Sequence, residues 1–305
     1  MTIVFRKSFW STLRDQINVR LLRSMTRRRR AQQAPRMFLA PDDYIGETIL
    51  AEVMFEKGYL SALDALLDRL GTSKGPGTVA LDIGSNIGNH ALHFSRRFGH
   101  VHCFDPNPMI LHILRANMLL NDVRNVTVHG VGLSDADDTL SFVQHDSNLG
   151  GSGFVPRGET VTEAGARALG EMEVRHAGRF VAPLLGPDER VGLIKIDVEG
   201  LEDRVLDGLR DVVAAHKPVL LIEVTGDEVG DRVRALVEEM GYDPIHEIHN
   251  DLRFGADPLP RRLFRAAGRG VTYELRPMNA FDDRIYPMTI TAPKGRLAEK
   301  GLVEG

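Results

Sequence analysis

Thr78-Val79-Ala80-Leu81-Asp82-Ile83-Gly84-Ser85-Asn86-Ile87-Gly88-Asn89-His90 carries the pattern that decides the architecture of this 305-residue chain. An unbroken apolar run ends in a glycine turn, and helical spacing follows from Asn89 to Phe98. A strand that is apolar at every position belongs to a sheet covered on both faces, so Thr78–Ile83 predicts the first strand of a parallel α/β sheet. The alternation repeats outward, with strands at His100–Phe104, Val126–Val131, Gly192–Val198 and Val219–Val224. Helices are expected at Met109–Leu120, Glu202–Ala215 and Asp227–Met240, and Thr139–Val143 reads as an extra strand. Weaker strand signals follow at Pro244–His249, Thr272–Leu275 and Met288–Thr291. The expected fold is α/β, a doubly wound, mostly parallel Rossmann-like sheet with an N-terminal helical extension. Its parts are a basic helical arm (1–40), a helical lead-in (41–77) and a main domain (78–305). Residues 149–190 are rich in glycine and charge with little periodicity, and are expected to form a loop insertion over the functional edge.

The turn itself speaks to chemistry. A dinucleotide site needs G-x-G-x-x-G so that pyrophosphate can rest on a helix N-terminus. Here Gly84 and Gly88 stand four apart with Asn86 between them, and Asp82 precedes the first glycine by two. A carboxylate at that place repels pyrophosphate and suits a ligand with an ammonium group and no phosphate, which describes S-adenosylmethionine. Asp105, ending the second strand in Phe104-Asp105-Pro106-Asn107-Pro108, lies about 20 residues past the turn, the distance at which an acid takes ribose hydroxyls. Nicotinamide enzymes share that acid, and it also reads as a helix cap before Pro108. After the third strand, Gly132-Leu133-Ser134-Asp135 is expected beside the adenine, with Asp135 accepting from its amine; ordinary turn chemistry is the alternative.

Farther along, Lys195-Ile196-Asp197-Val198-Glu199-Gly200 puts Lys195 and Asp197 on one face of a central strand. A charged pair in a buried strand is expensive unless the two charges meet each other or a ligand. Open α/β sheets bind ligands beyond the carboxyl ends of their strands, so Asp197 and Glu199 point at or flank the donor, and Glu223 ends the neighbouring strand. Lys195, Asp197, Glu199 and Glu223 are the candidate catalytic residues, as base, orienting group or polariser of an acceptor. A structural Lys195–Asp197 salt bridge, with Glu199 and Glu202 capping the next helix, is the alternative. His90 and His145 are weaker candidates. His246 and His249 fall on opposite faces of a strand, and no metal is expected.

Together these residues resemble the FkbM-type S-adenosylmethionine-dependent methyltransferases. The resemblance rests on the Asp82–Gly88 turn, the Asp105-Pro106 pair, the Lys195–Gly200 run with Glu202, Pro218 with the strand ending in Glu223, and Asp43-Tyr44-Ile45-Gly46 leading to Glu56. It spans about Asp42 to Gly241. Asp105 departs from the family, which more often has Glu there. The resemblance implies a class I methyltransferase fold and O-methylation of a hydroxyl on a glycan or small-molecule natural product. Asp82, Gly84, Asn86, Gly88, Asp105, Pro106, Ser134 and Asp135 are then the cofactor-binding candidates, and S-adenosyl-L-methionine the cofactor. A non-catalytic cofactor-binding module with a degenerate methyltransferase fold is the competing reading.

Composition bounds the rest. Hydrophobic residues at 43% and charged residues at 26% exclude wholesale disorder. The single cysteine, Cys103, excludes an internal disulfide, and no apolar run reaches the ~18–20 residues that span a bilayer. A cytoplasmic location is expected. The net charge of −4 hides an asymmetry: residues 1–36 hold ten Lys/Arg and one acid, Asp15, while the remainder is acidic. Trp10, Leu13, Ile17, Leu21 and Met25 share one helical face amid arginines, which fits either peripheral contact with anionic lipid or docking on the body. An acidic body argues against a nucleic-acid substrate. The oligomeric state is not legible.

Overall fold

Strands that are apolar at every position cannot face water on either side, and this chain buries them between two helical layers. A computed structural model describes residues 9–39, 43–52, 54–145, 152–155, 166–250 and 272–303. The helices are α1 (Phe9–Ala31), α2 (Tyr44–Glu52), α3 (Lys57–Arg69), α4 (Asn89–Phe94), α5 (Pro108–Leu120), α6 (Ala177–Val181), α7 (Glu202–Gly208), α8 (Arg210–His216), α9 (Asp227–Glu239) and α10 (Arg296–Glu299). The strands are β1 (Gly75–Ile83), β2 (Phe98–Phe104), β3 (Val126–His129), β4 (Gly132–Ser134), β5 (Asp138–His145), β6 (Gly153–Val155), β7 (Ala166–His176), β8 (Arg190–Ile196), β9 (Val219–Thr225), β10 (His246–Asn250), β11 (Tyr273–Pro277) and β12 (Ile285–Thr291).

Among the described residues the main sheet runs β11-β10-β12-β9-β8-β1-β2-β3. β9, β8, β1, β2 and β3 are parallel, and β12, β10 and β11 add antiparallel pairs at one edge. This is the doubly wound, mostly parallel sheet the sequence predicts. One face packs Leu81, Ile83, Ile194, Ile196 and Ile222 against α6 to α9, and the other packs Ala80, Val101, Leu193 and Leu221 against α3, α4 and α5. The order reverses at β1, where β2 leaves to one side and β8 to the other. A crevice opens at such a reversal beyond the strands' carboxyl ends.

Two expectations need correction. The stretch 149–190 is not a loop where it is described: β6 and β7 join β4 and β5 in a second sheet of order β4-β7-β5-β6. Only Met172 and Val174 of β7 alternate inward between exposed Glu171, Glu173 and Arg175, too short an apolar pattern to stand out in a stretch rich in glycine and charge. The helix expected over Glu202–Ala215 is broken at Leu209 into α7 and α8. In the arm, Leu13, Ile17 and Leu21 of α1 are exposed, and Arg29 ties its end to the carbonyls of Ile49 and Pro35. No helix among the described residues is long and apolar enough to cross a membrane.

Candidate functional site

The carboxyl ends of β1, β2, β8 and β9 converge on a cavity of about 920 Å³. Gly84, Ser85, Asn86 and Ile87 of the glycine turn line it, as do Asp105, Pro106 and Asn107 after β2 and Val131–Leu133 after β3. On the other side stand Asp197, Val198, Glu199 and Glu223. The lead-in supplies Phe55, Glu56, Lys57 and Tyr59, and the antiparallel edge adds Glu247, Asn250, Tyr273 and Arg284.

Every backbone N–H of the glycine turn is already used. Gly84 and Ser85 donate to Phe104 O, Asn86 to Asp105 Oδ2, Ile87 to its neighbour's Asn86 Oδ1, and Gly88 to Ser85 O. A pyrophosphate-binding nest needs free amides, and this turn has none to offer. Gly84 (φ +76°) is obligatory: a Cβ there would lie 1.6 Å from the Asp197 carbonyl oxygen. Asn86 takes the left-handed conformation (φ 46°) that Asn tolerates best among residues with side chains. Asp105 is pinned at both oxygens, accepting from Asn107 N at 2.9 Å and Asn86 N at 3.1 Å. Burial lifts its pKa to about 6 against those bonds. Asn107 caps α5 by accepting from Met109 N, with Pro108 at the first helical position, so the acid sits on a rigid corner.

Across the cavity the charges are arranged differently. Lys195 is a buried hub: its Nζ lies 2.8 Å from Asp197 Oδ2, 3.6 Å from Asp82 Oδ1, and donates to Gly84 O at 3.1 Å. Burial works against its charge, yet Asp197 and Asp82 outweigh it and hold the ammonium above the usual lysine range. Asp197, Glu199 and Glu223 bring one carboxylate oxygen each within 4.8 Å of one another. Burial first, then Asp197, pushes Glu199 up to about 8, and the same causes raise Glu223 well above the usual carboxylate range. Glu199 is in the left-handed region (φ 54°), a costly conformation for a residue with a Cβ. Glu202 holds it there: the fully buried carboxylate accepts from Val198 N at 3.2 Å and Gly200 N at 3.0 Å, on either side of Glu199.

The structure therefore brings together Gly84, Asn86, Asp105, Pro106, Asp197, Glu199 and Glu223 around one cavity. Five expected residues stand off it. Asp82 is completely buried, and Lys195 stays beneath the wall with three acceptors already engaged. Gly88 starts α4, packed against Leu114 and Met118. Ser134 donates to Asp135 at 2.9 Å, and this loop reaches the cavity through Val131–Leu133 instead, because Ser134 is drawn into the pairing of β4 with β7. His90 does reach the cavity, and its Nε2 lies 3.1 Å from Glu56 Oε2. The side chain of His145 and residues 146–151 lie outside the described residues. Sequence reasoning missed Glu56 as a partner of His90 and Glu202 as the brace of Glu199. The only signal for either was membership of a matching motif.

The cavity suits a nucleoside bearing an amino acid. It offers an acid held at both oxygens, Asp105, and an apolar slot at Val131–Leu133, and its turn has no free amide for phosphate. Comparison with known proteins agrees in class. The methyltransferase FkbM domain matches residues 82–244. Methyltransferase sdnD of Sordaria araneosa is 30% identical over 189 residues, covering 53% of this chain and 73% of that protein. Methyltransferase 1 of Beauveria bassiana (strain ARSEF 2860) is 31% identical over 177 residues, covering 53% and 71%. Among solved structures, methyltransferase FkbM from Methylobacillus flagellatus aligns with TM-score 0.39 and 18% identity, covering 90% of this chain and 58% of that one.

Proposed function

This chain belongs to the methyltransferase FkbM family, and on that premise we propose that it O-methylates a hydroxyl of a glycan or small-molecule natural product. S-adenosylmethionine, the cofactor, supplies an electrophilic methyl group on a sulfonium, so the acceptor oxygen must approach in line with the departing sulfur. On the donor side, Asp105 takes the ribose hydroxyls, with Gly84, Asn86 and Pro106 framing the cradle. On the acceptor side, a hydroxyl is a poor nucleophile until its proton is shared with a base.

Glu199 is that base. A general base works best with a pKa near the operating pH and contributes about 10²–10⁴ in rate. The observation that carries the reading is its place on the cavity wall, with one carboxylate oxygen each of Asp197, Glu199 and Glu223 within 4.8 Å of one another, where burial and Asp197 lift its carboxyl to about 8. Asp197, tied to Lys195 at 2.8 Å, serves as an orienting acceptor; Glu223 stands beside it for a second hydroxyl. The outer end of the cavity supports a hydroxyl-rich acceptor. Tyr59 and Tyr273 meet edge to face with centroids 5.3 Å apart, and Glu247, Asn250 and Arg284 complete the wall. Aromatic faces with hydrogen-bonding rims suit sugar-like rings, apolar on their C–H faces and polar around them.

The test is a scan of monosaccharides, glycosides and natural-product alcohols with methyl-labelled donor, read by label transfer and mass spectrometry. An O-methyl product from a hydroxylated acceptor is expected. Transfer confined to amine or carbon nucleophiles overturns the O-methylation.

A further inference from the structure

The donor ends in an amino acid, and an ammonium taken out of water needs an anion facing it. Asp82 was the sequence's candidate, but it is completely buried and off the cavity wall, with Lys195 3.6 Å away as its ionic partner. Other acids on the wall have tasks elsewhere or, like Glu47 on α2, are exposed to water. Asp105 is held by two backbone amides on the ribose side, Asp197 is tied to Lys195, and Glu247 faces Arg284 at 3.5 Å. Glu199 and Glu223 form the acid cluster beyond the turn.

Glu56 remains, and its placement is built rather than incidental. Asn89, directly after Gly88, clamps the preceding residue with two reciprocal bonds: Phe55 N donates to Asn89 Oδ1 at 3.2 Å, and Asn89 Nδ2 donates to Phe55 O at 3.0 Å. Glu56 itself adopts φ 55°, and its Oε2 meets His90 Nε2 at 3.1 Å, with the two side chains only 12% and 9% exposed. Among the described residues its Oε1 makes no hydrogen bond. The acid thus comes from the lead-in but is fastened to the start of α4, where the glycine turn ends. Along the cavity wall the strand order places adenine toward β3 and ribose at the end of β2. The donor's amino-acid end then falls at the β1 turn, beside Glu56.

We propose that Glu56, oriented by His90 and the Asn89 clamp, is the residue that binds the donor's ammonium group, and that Asp82 is not. The inference rests on the donor reading above. Calorimetry on the full chain tests it with two probes: S-adenosylhomocysteine, which has the amino-acid end, and 5′-methylthioadenosine, which lacks it. Glu56→Gln is expected to weaken S-adenosylhomocysteine by about 10- to 100-fold, the usual weight of a charge-assisted hydrogen bond, and methylthioadenosine by less than about twofold. Glu56→Asp, which keeps the charge on a shorter arm, serves as the second variant and should fall between. An unchanged ratio of the two affinities in both variants overturns the assignment of Glu56 alone. A selective loss of S-adenosylhomocysteine in Asp82→Asn, with both Glu56 variants unaffected, also overturns it. If the wild-type chain binds neither probe, the donor reading falls together with this inference.

Discussion

The two sides of the cavity are built by opposite means. On the donor side, backbone does the shaping: five consecutive turn amides are all engaged, and Asp105 is held at both oxygens. On the acceptor side, three carboxylates crowd within 4.8 Å while the nearest buried cation, Lys195, is already shared by Asp197, Asp82 and a carbonyl. The first arrangement is satisfied before any ligand arrives. The second holds surplus negative charge that raises the proton affinity of Glu199 and Glu223. Perturbed carboxyls in a cleft are what acid–base chemistry requires, and a turn whose amides are satisfied internally holds its shape without a ligand. On the proposed function, the contrast separates binding from reaction along one sheet edge.

Gly84→Ala should break the comparison most severely, because the two sides touch at that residue. A Cβ placed 1.6 Å from the Asp197 carbonyl oxygen, on a residue at φ +76°, forces β1 and β8 apart. A loss of about 4–5 kcal/mol or more is expected by denaturant unfolding, at the extreme of single substitutions. Unfolding at the wild-type midpoint would mean the contact yields easily. Lys195→Met comes next. It leaves Asp82 and Asp197 without their shared cation, and removing one partner of a buried pair costs about 3–5 kcal/mol. If stability instead holds while turnover alone collapses, Lys195 is a chemical group after all.

Glu199→Gln sharpens the contrast without breaking it. Turnover should fall by about 10²–10⁴ while affinity for S-adenosylhomocysteine stays within about twofold. The sign of the pH dependence follows from the raised pKa. A carboxyl at about 8 is protonated at neutral pH, so wild-type turnover should rise with pH through about 8 and then level. The same shift makes the folded state hold a proton that the unfolded chain has lost above the ordinary glutamate pKa. Stability from this group is therefore highest at low pH and declines as pH climbs toward 8. The glutamine variant should show neither the rising limb of activity nor this part of the decline.

How much of this could be read from the chain depended on which force placed each residue. The sheet was legible because β1, β8 and β9 are buried on both faces and advertise it in unbroken apolar runs. Gly84, Asp105, Asp197 and Glu199 were legible because strand ends and tight turns fix their positions locally. Asp82 was placed on the right element but assigned to a ligand, and Lys195 was left open between a ligand and its salt bridge with Asp197, because sequence cannot distinguish a charge that faces a ligand from one that faces another charge. Glu56 and His90 are 34 positions apart and meet only through tertiary packing, so no spacing rule connects them. The β7 hairpin was missed because its alternation is confined to Met172 and Val174 between Glu171, Glu173 and Arg175, shorter than the apolar runs of the main sheet.

The smallest effect is expected at Asp105, and it tests whether the donor side is as settled as its hydrogen bonds suggest. Its carboxyl is already held by Asn86 N and Asn107 N, so those amides fix its position whether or not a ribose is present. Two hydroxyls would add charge-assisted bonds to a group that needs no reorganisation, together contributing about 1–3 kcal/mol. Because burial lifts this acid to about 6, it is ionised at pH 7.5 and mostly protonated at pH 5. A protonated carboxyl is the weaker acceptor, so affinity for 5′-methylthioadenosine should fall by about tenfold between those pH values. Asp105→Asn should bind about tenfold more weakly at pH 7.5 and lose most of that pH dependence. Methylthioadenosine is the right probe, since it has the ribose but lacks the amino-acid end, whose ammonium and carboxylate would add a pH dependence of their own. A wild-type affinity that is flat from pH 5 to 7.5 would remove Asp105 from the ribose and leave it as a brace for the Asn86 turn.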